Sequence, residues 1–260
     1  MPPSAEPIGW TLSILLDGRQ AIGYPPQPWD LRGQLYLSVF AVPRSVLPPL
    51  PGPLAAAVRP VPFGRHALVG AAWVRYEPGG VLHYRELLSA VLVHEGRRPR
   101  VSITEIWVDS VESRDGGRAL WGIPKDLAEL ELRSSPGGDL VATASTGPEP
   151  GDRPAPIGSA SFRRGARLPG RWPTPLSVAQ ALGGLVVRTR VRGRAGLRLG
   201  GATWRVDAGG PLGYLAGRRP LLSITLTDFR LRFGAPAQAA ATWPGAGPPR
   251  RGGAGITGRA

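Results

Sequence analysis

The sequence predicts a mainly β protein with a few short helices, in which antiparallel strands could close on themselves. At 260 residues the chain is long enough to bury a full core and short enough to form one domain. Its 37 glycines and 30 prolines disfavour long helices and favour many turns. Short apolar segments recur between turn residues at regular spacing, which is typical of antiparallel and closed β structures.

The strands are predicted from apolar, β-branched segments bounded by turn residues. Gly33 and Pro43 bound the first strand, and the turn signal Glu-Pro-Gly-Gly follows the second. The segment "EGRRPR" (95–100) separates the third strand from the fourth and predicts a hairpin. The predicted strands, in chain order, are 34–42, 67–76, 86–94, 101–109, 128–133, 140–145, 157–163, 184–192, 196–207 and 220–233.

Two short helices are predicted from their start and stop signals. The segment 174–184 has Pro175 at the first helical position and Gly183 as its stop. The segment 113–122 is expected to form one or two turns that end at Gly122. We expect residues 1–235 to form a single domain and residues 236–260, which are rich in Gly, Pro and Ala, to be a disordered tail.

The net charge of +14 does not by itself indicate a nucleic-acid partner. Arginine, glycine, proline and alanine are all abundant, as a GC-rich genome would produce, and the arginines are spread along the chain. Arg188, Arg190, Arg192 and Arg194 fall on one face of a predicted strand, where a stripe of this kind is usually solvated. No zinc-finger spacing and no aromatic–basic RNA-binding signature is present, so we expect no nucleic-acid partner.

The chain has no cysteine, which excludes disulfides and thiol chemistry and is compatible with a reducing compartment. Its three histidines are scattered without metal-ligand spacing, and we expect no metal. The first residues lack the features of a signal peptide, and no segment approaches the ~20 apolar residues that span a bilayer. These features predict a soluble, cytoplasmic protein without a membrane partner.

The 32 basic residues include a single lysine, Lys125. Arginine can replace lysine in salt bridges and phosphate contacts, but its guanidinium does not lose a proton near neutral pH. Only a neutral amine can attack a carbonyl carbon to form an imine. A chain that uses arginine almost everywhere is therefore expected to retain lysine where an amine nucleophile is needed.

The neighbours of Lys125 support this interpretation. Trp121, Ile123 and Leu127 flank it directly after a Gly-x-Pro turn, which is an unusual place for a solvated cation. A free lysine with a pKa of ~10.4 is neutral in only about 0.04% of molecules at pH 7. An apolar pocket is expected to lower the pKa by several units and so to supply the neutral amine.

The segment "GRALWGIPKDLA" (117–128) resembles the active-site segment of the acetoacetate decarboxylase superfamily. In that segment Gly-Arg-Glu is followed by a short spacer, then Gly or Ala, an apolar residue, Pro-Lys and commonly Lys-Leu. Weaker similarity covers 24–43, the Tyr-x-Glu strand at 83–93, and 229–236, while 106–127 matches most strongly. The resemblance implies an antiparallel, cone-like β-barrel that assembles as a homo-oligomer.

The resemblance also implies a lyase that acts on a small keto acid, through decarboxylation of a β-keto acid such as acetoacetate. Lys125 matches the lysine that forms a Schiff base, and Glu86 matches an active-site glutamate that handles protons or orients the substrate. Glu86 could instead be a strand-end carboxylate paired with an arginine. Arg32, Trp121 and Arg118 are candidate substrate-binding residues, although a structural salt bridge is favoured for Arg118. No cofactor is implied, because the imine is itself the electron sink.

The chain also departs from the family pattern. Asp126 replaces a second lysine, Ala119 replaces the glutamate of Gly-Arg-Glu, and Ala71 and Ala72 occupy a region where another acidic residue is usual. If this segment is extended, Asp126 should point away from Lys125. These differences are compatible with imine chemistry but disfavour acetoacetate itself as the substrate.

Three alternatives remain from the sequence. An aldolase- or dehydratase-type enzyme on the same scaffold would use the same imine. A non-catalytic barrel would bind a small ligand with Lys125 as a counter-ion, although arginine usually serves that role as well. A basic nucleic-acid binder would need a continuous positive face and would bind with strong salt dependence.

Overall fold

The computed structural model describes residues 23–147 and 154–235, so the predicted tail at 236–260 lies outside the described residues. Two α-helices are described, α1 (Gly52–Ala57) and α2 (Val111–Trp121). None of the helices within the described residues has the length and apolar content needed to cross a bilayer. The strands are β1 (Trp29–Pro43), β2 (Arg59–Pro60), β3 (Pro62–Phe63), β4 (His66–Tyr76), β5 (Arg85–Glu95), β6 (Arg98–Val108), β7 (Lys125–Leu127), β8 (Glu129–Ser134), β9 (Leu140–Ser145), β10 (Pro156–Pro173), β11 (Leu176–Leu182), β12 (Leu185–Arg205) and β13 (Leu222–Phe233).

Seven of these strands wrap into a ring, so the predicted mainly β fold is confirmed. Their order is β6-β5-β4-β1-β13-β12-β11, and β11 then returns to β6. All neighbouring pairs are antiparallel except the closing pair, which is parallel. The long strand β12 continues beyond the ring and pairs with β10, which leads on to β9 and β8.

The ring closes through a side chain as well as through the backbone. The parallel contact between β11 and β6 has a single register pair, Val178 with Val101. Next to it, the buried Gln180 amide donates to the Ile103 carbonyl at 2.9 Å. Its Oε1 atom accepts from the Ile103 N–H at 3.2 Å and from the Ser102 hydroxyl at 3.1 Å. Gln180 thus supplies the hydrogen bonds that an adjacent backbone would otherwise provide.

The two faces of the ring have different roles. Successive side chains of a strand point to opposite faces, so alternate residues of β1 face inward. On the outer face, Tyr36 packs against Phe162 of β10 with ring centroids 5.6 Å apart, within the larger buried cluster. On the inner face, Leu35 and Leu37 line a cavity. The outer layer therefore forms the main core, and the ring interior stays open.

The helix predicted over 174–184 is wrong, because this segment contains strand β11. Leu176 to Leu182 pair with β12 in an antiparallel hairpin that turns at Gly183 and Gly184. The local helix signals are overridden because this segment is needed to close the ring. The hairpin predicted at 95–100 is confirmed, with β5 and β6 joined by a tight turn.

The predicted helix at 113–122 is confirmed as α2, although α2 begins at Val111 and its 11 residues form about three turns instead of one or two. The Ser110 hydroxyl caps its first turn by accepting from the Ser113 N–H at 3.1 Å. Gly122 ends the helix in the left-handed region, with φ 66°. The Ile123 N–H then donates to the Gly117 carbonyl at 3.1 Å, which turns the chain sharply into β7.

We expect Gly122→Ala to lower the free energy of unfolding strongly, because of the turn that Gly122 forms. A Cβ atom there would lie 2.2 Å from the Ala181 carbonyl oxygen, in addition to adopting a positive φ. Gly183→Ala is the matched control, since Gly183 also has a positive φ but has open space around it. We expect Gly183→Ala to lower the free energy of unfolding by about 1–2 kcal/mol and Gly122→Ala by about 1–3 kcal/mol more. Equal losses in urea titrations would contradict this account.

Candidate active site

The ring encloses a cavity of about 540 Å³. Alternate residues of the ring strands and the end of α2 form its walls, and most of them are apolar. Glu86 and Lys125 are the only charged side chains among the described residues that line it. A concave apolar site with a few convergent polar groups is the usual form of a small-molecule binding site.

Lys125 lies at the first position of β7, which pairs in parallel with β6 so that Lys125 adjoins Ile106. The residue is only 4% exposed. Its Nζ atom donates to Glu86 Oε2 at 2.9 Å, to Ser113 Oγ at 2.9 Å and to Tyr84 Oη at 3.2 Å. An ammonium has three protons, and each of them has an acceptor here.

Glu86 is 3% exposed and lies near the start of β5, opposite Val74 of β4. In addition to the bond from Lys125, it accepts two tyrosine hydroxyls. Tyr76 donates to Oε1 at 3.2 Å, and Tyr84 donates to Oε2 at 3.4 Å. The buried carboxylate is therefore both paired and hydrogen-bonded, as a buried charge must be.

The two tyrosines remain neutral donors. Burial, and then the nearby Glu86 carboxylate, raise the pKa of Tyr84 to about 12. Burial and Glu86 also raise the pKa of Tyr76 well above its ordinary value. The two rings pack with centroids 4.3 Å apart, which fixes both hydroxyls toward Glu86.

The pKa of Lys125 shifts in the opposite direction to the one expected from an apolar pocket. Burial lowers the pKa, but the Glu86 carboxylate and then Tyr84 outweigh it, so the net pKa lies above the ordinary value. The expectation of a depressed pKa is wrong because the sequence did not show that a carboxylate lies 2.9 Å from the amine. In the resting site the amine is an ammonium paired with Glu86.

Helix α2 covers the lysine closely. A Cβ atom on Gly117 would lie 2.7 Å from the Lys125 Cδ atom, and one on Gly116 would lie 2.5 Å from the Trp29 ring. Ser113 lies one helical turn before Gly117 and contacts the amine from the same face. Gly117 thus lets the helix approach the aliphatic stem of Lys125, and Gly116 lets it approach Trp29.

The predicted site residue Arg118 lies outside the cavity, and so does Asp126. Asp126 points away from Lys125, as expected for an extended segment, and forms an exposed ion pair with Arg118. The pairing matches the structural alternative for Arg118 and places its side chain away from the cavity. Leu127, expected beside the lysine, is also exposed.

Of the other two candidate substrate-binding residues, Trp121 lines the cavity and Arg32 does not. Arg32 is exposed on the outer face of β1, because Leu31 on one side of it points into the cavity and the strand alternates. The structure therefore does not bring Arg32 to the site, and its side chain contacts the turn at Gly79 instead. Trp121 does line the cavity, and its indole N–H donates to Gln27 Oε1 at 3.1 Å.

Sequence reasoning missed three of the polar side chains around the amine. Tyr84 could have been found, because it lies two residues before Glu86 and so faces the same side as Glu86. Tyr76 reaches the site only through the pairing of β4 with β5, and Ser113 only through the position of α2. Within the described residues, no cluster of His, Cys, Asp or Glu could hold a metal ion.

Comparison with known proteins gives a family match and several similar folds. A family model described as acetoacetate decarboxylase (ADC) matches residues 18–150. The crystal structure of acetoacetate decarboxylase from Legionella pneumophila subsp. pneumophila str. Philadelphia 1 is similar with a TM-score of 0.60 and 15% identity, covering 89% of this chain and 96% of that chain. The enduracididine biosynthesis enzyme MppR complexed with pyruvate is similar with a TM-score of 0.56 and 18% identity, covering 81% of this chain and 89% of that chain. No curated protein sequence matches. At these identities the solved structures show a shared fold.

Proposed function

This chain belongs to the acetoacetate decarboxylase family, and on that premise we propose that it is a lyase that forms a Schiff base between Lys125 and a keto acid. The observation that carries the proposal is the contact between the buried Lys125 amine and Glu86 at 2.9 Å, at the end of an apolar cavity. An arginine at position 125 could neutralise the negative charge of the Glu86 carboxylate but could not form an imine.

Glu86 supplies the proton transfers that imine formation requires. The ammonium of Lys125 gives one proton to Glu86 across their hydrogen bond, and the neutral amine attacks the keto carbon. The resulting carbinolamine loses its oxygen as water, for which Glu86 returns the proton. The product is a protonated imine beside a Glu86 carboxylate, so the charges of the resting pair are restored.

Carbon dioxide leaves from this imine when the substrate is a β-keto acid. The electrons of the broken C–C bond move into the cationic imine and give a neutral enamine. Water supplies the proton that is added to the enamine carbon and restores the imine, and a second water then hydrolyses the imine to release the ketone and the Lys125 amine. No cationic side chain other than Lys125 lines the described cavity wall, so the iminium itself is the group that attracts the carboxylate.

The presence of Lys125 as the one cationic side chain on the described cavity wall also favours a second candidate, an aldolase- or dehydratase-type reaction through the same imine. A cavity with one cation and one paired carboxylate does not require a substrate carboxylate. MppR, which shares the fold, has been solved with the condensation product of pyruvate and imidazole 4-carboxaldehyde. The two candidates differ in the bond that breaks or forms after the imine.

Product analysis separates these candidates. The full chain is incubated with acetoacetate and 3-oxopentanoate, and in parallel with pyruvate plus an aromatic aldehyde. Carbon dioxide released faster than the uncatalysed rate supports the decarboxylase, and a condensed product supports the aldolase type. Arg32→Ala is a control, because Arg32 lies on the outer face. An absence of turnover with both mixtures, together with no imine on Lys125, would contradict the proposal.

A further inference from the structure

We infer that the keto group of the substrate is attached to an extended apolar chain, and that this cavity selects medium-chain substrates over a four-carbon keto acid. The inference rests on the proposed imine at Lys125 and adds the substrate class. It comes from the length of the cavity, the small residues in its middle and the distribution of its polar groups.

The cavity extends far beyond the amine. On β5, the successive inward residues Glu86, Leu88, Ala90 and Leu92 all line it. Six residues of strand at about 3.3 Å each span roughly 20 Å, and a strand tilt of about 40° leaves roughly 15 Å along the ring axis. An extended backbone advances about 1.2 Å per bond, so this length accommodates a chain of roughly twelve bonds.

Small side chains keep the middle of the cavity open. Gly70 of β4 lies directly opposite Ala90 of β5, and Ala72 lies opposite Leu88. Gly70 and Ala72 alternate on the inward face of β4, so β4 adds little side-chain volume over two successive layers, and Leu37 of β1 lies against Gly70. Larger side chains at these positions would fill the lumen and leave space only beside Lys125.

The polar groups are confined to one end. Lys125, Glu86, Tyr84 and Tyr76 cluster together, with Glu86 near the start of β5 and Tyr76 at the end of β4. Beyond them the described wall is apolar apart from Thr174, and it has no charged group to receive a second carboxylate or a phosphate. Such a wall gains binding free energy for each methylene it removes from water, which corresponds to about a four-fold gain in affinity per methylene.

A homologous series of methyl ketones tests this inference. The rate of borohydride-trapped imine formation is measured for butan-2-one, hexan-2-one, octan-2-one and decan-2-one at equal low concentrations. We expect the second-order rate constant to rise by about three- to four-fold per methylene until the chain fills the cavity. If the ketones are trapped, a rate constant that is the same for all chain lengths or falls with chain length would overturn the inference.

Binding of the corresponding secondary alcohols separates this inference from the proposed function. These alcohols match the ketones in shape but cannot form an imine, and calorimetry gives their affinities. Affinity that increases with chain length supports the inference even if no ketone forms an imine, in which case the proposed function alone fails. Affinity that does not increase overturns the inference even if butan-2-one is trapped on Lys125.

A variant that narrows the cavity gives the complementary result. Ala90→Leu adds bulk opposite Gly70, and we expect it to lower the ratio of the octan-2-one rate to the butan-2-one rate by at least about ten-fold. Val141→Leu is the matched control, because it adds a methylene to an exposed strand residue, 57% exposed. A ratio that is the same in Ala90→Leu and in the control would contradict the inferred position of the chain.

Discussion

Lys125→Arg is expected to lower the turnover of keto acids by roughly 10³-fold or more, which is the scale on which enzymes lose rate when their nucleophile is removed. The guanidinium retains the positive charge beside Glu86 but cannot become a neutral nucleophile near neutral pH. A ligand-binding protein that needs only a counter-ion would tolerate the change. Normal turnover in Lys125→Arg would exclude imine catalysis.

Gly117 packs closely against the aliphatic stem of Lys125, so a substitution at Lys125 can reduce stability as well as remove the amine. A second variant is needed to distinguish a loss of catalysis from a loss of folding. Lys125→Met has similar length and no charge, and it leaves the buried Glu86 without its partner. We expect Lys125→Met to lower the free energy of unfolding by about 3–5 kcal/mol. The double variant Lys125→Met/Glu86→Gln should recover part of that stability and still lack activity. A double variant with activity would contradict the role of the amine.

Glu86→Gln is expected to slow turnover by about 10²–10⁴-fold, because the amide cannot accept the proton from Lys125 or return it. The same change should lower the pKa of Lys125. Glu86 is a main reason why that pKa is raised, and without it the effect of burial, which lowers the pKa, prevails. The pH at which borohydride trapping reaches half its maximum rate should therefore move downward while turnover falls.

Glu129→Gln is the control for this pH profile, since Glu129 is exposed on β8. It should leave both the turnover and the trapping profile unchanged. If Glu86→Gln moved the trapping profile upward or kept full turnover, Glu86 would not be the partner that takes the proton from Lys125.

Much of the fold could be predicted from local patterns. The strands predicted at 34–42, 86–94 and 101–109 correspond to β1, β5 and β6, because alternating and β-branched segments between turn residues are reliable local signals. The strand β11 could not be predicted in this way. Its role depends on the hydrogen bonds of Gln180 with Ile103, which are distant in sequence.

The site was predicted in part. The position of Lys125 follows from its being the single lysine and from the family motif, and the placement of Glu86 beside it agrees with the pattern that the sequence shares with the family. The pKa direction could not be predicted, since it depends on a cross-strand distance. Arg32 was misplaced because the phase of alternation along β1 is fixed only by its pairing with β4 and β13. Assembly as a homo-oligomer and a cytoplasmic location stay predictions.

Reductive trapping detects a ketone captured by the Lys125 amine as a covalent adduct. The full chain is incubated with a keto substrate and sodium borohydride, and the modified peptide is mapped by mass spectrometry. Because the chain has one lysine, an imine on a side-chain amine can form only at that position. We expect one stable adduct on the peptide that contains Lys125 and none in Lys125→Arg, which is the result that ketone capture by Lys125 requires. An adduct confined to the N-terminal amine, or trapping that persists in Lys125→Arg, would contradict it.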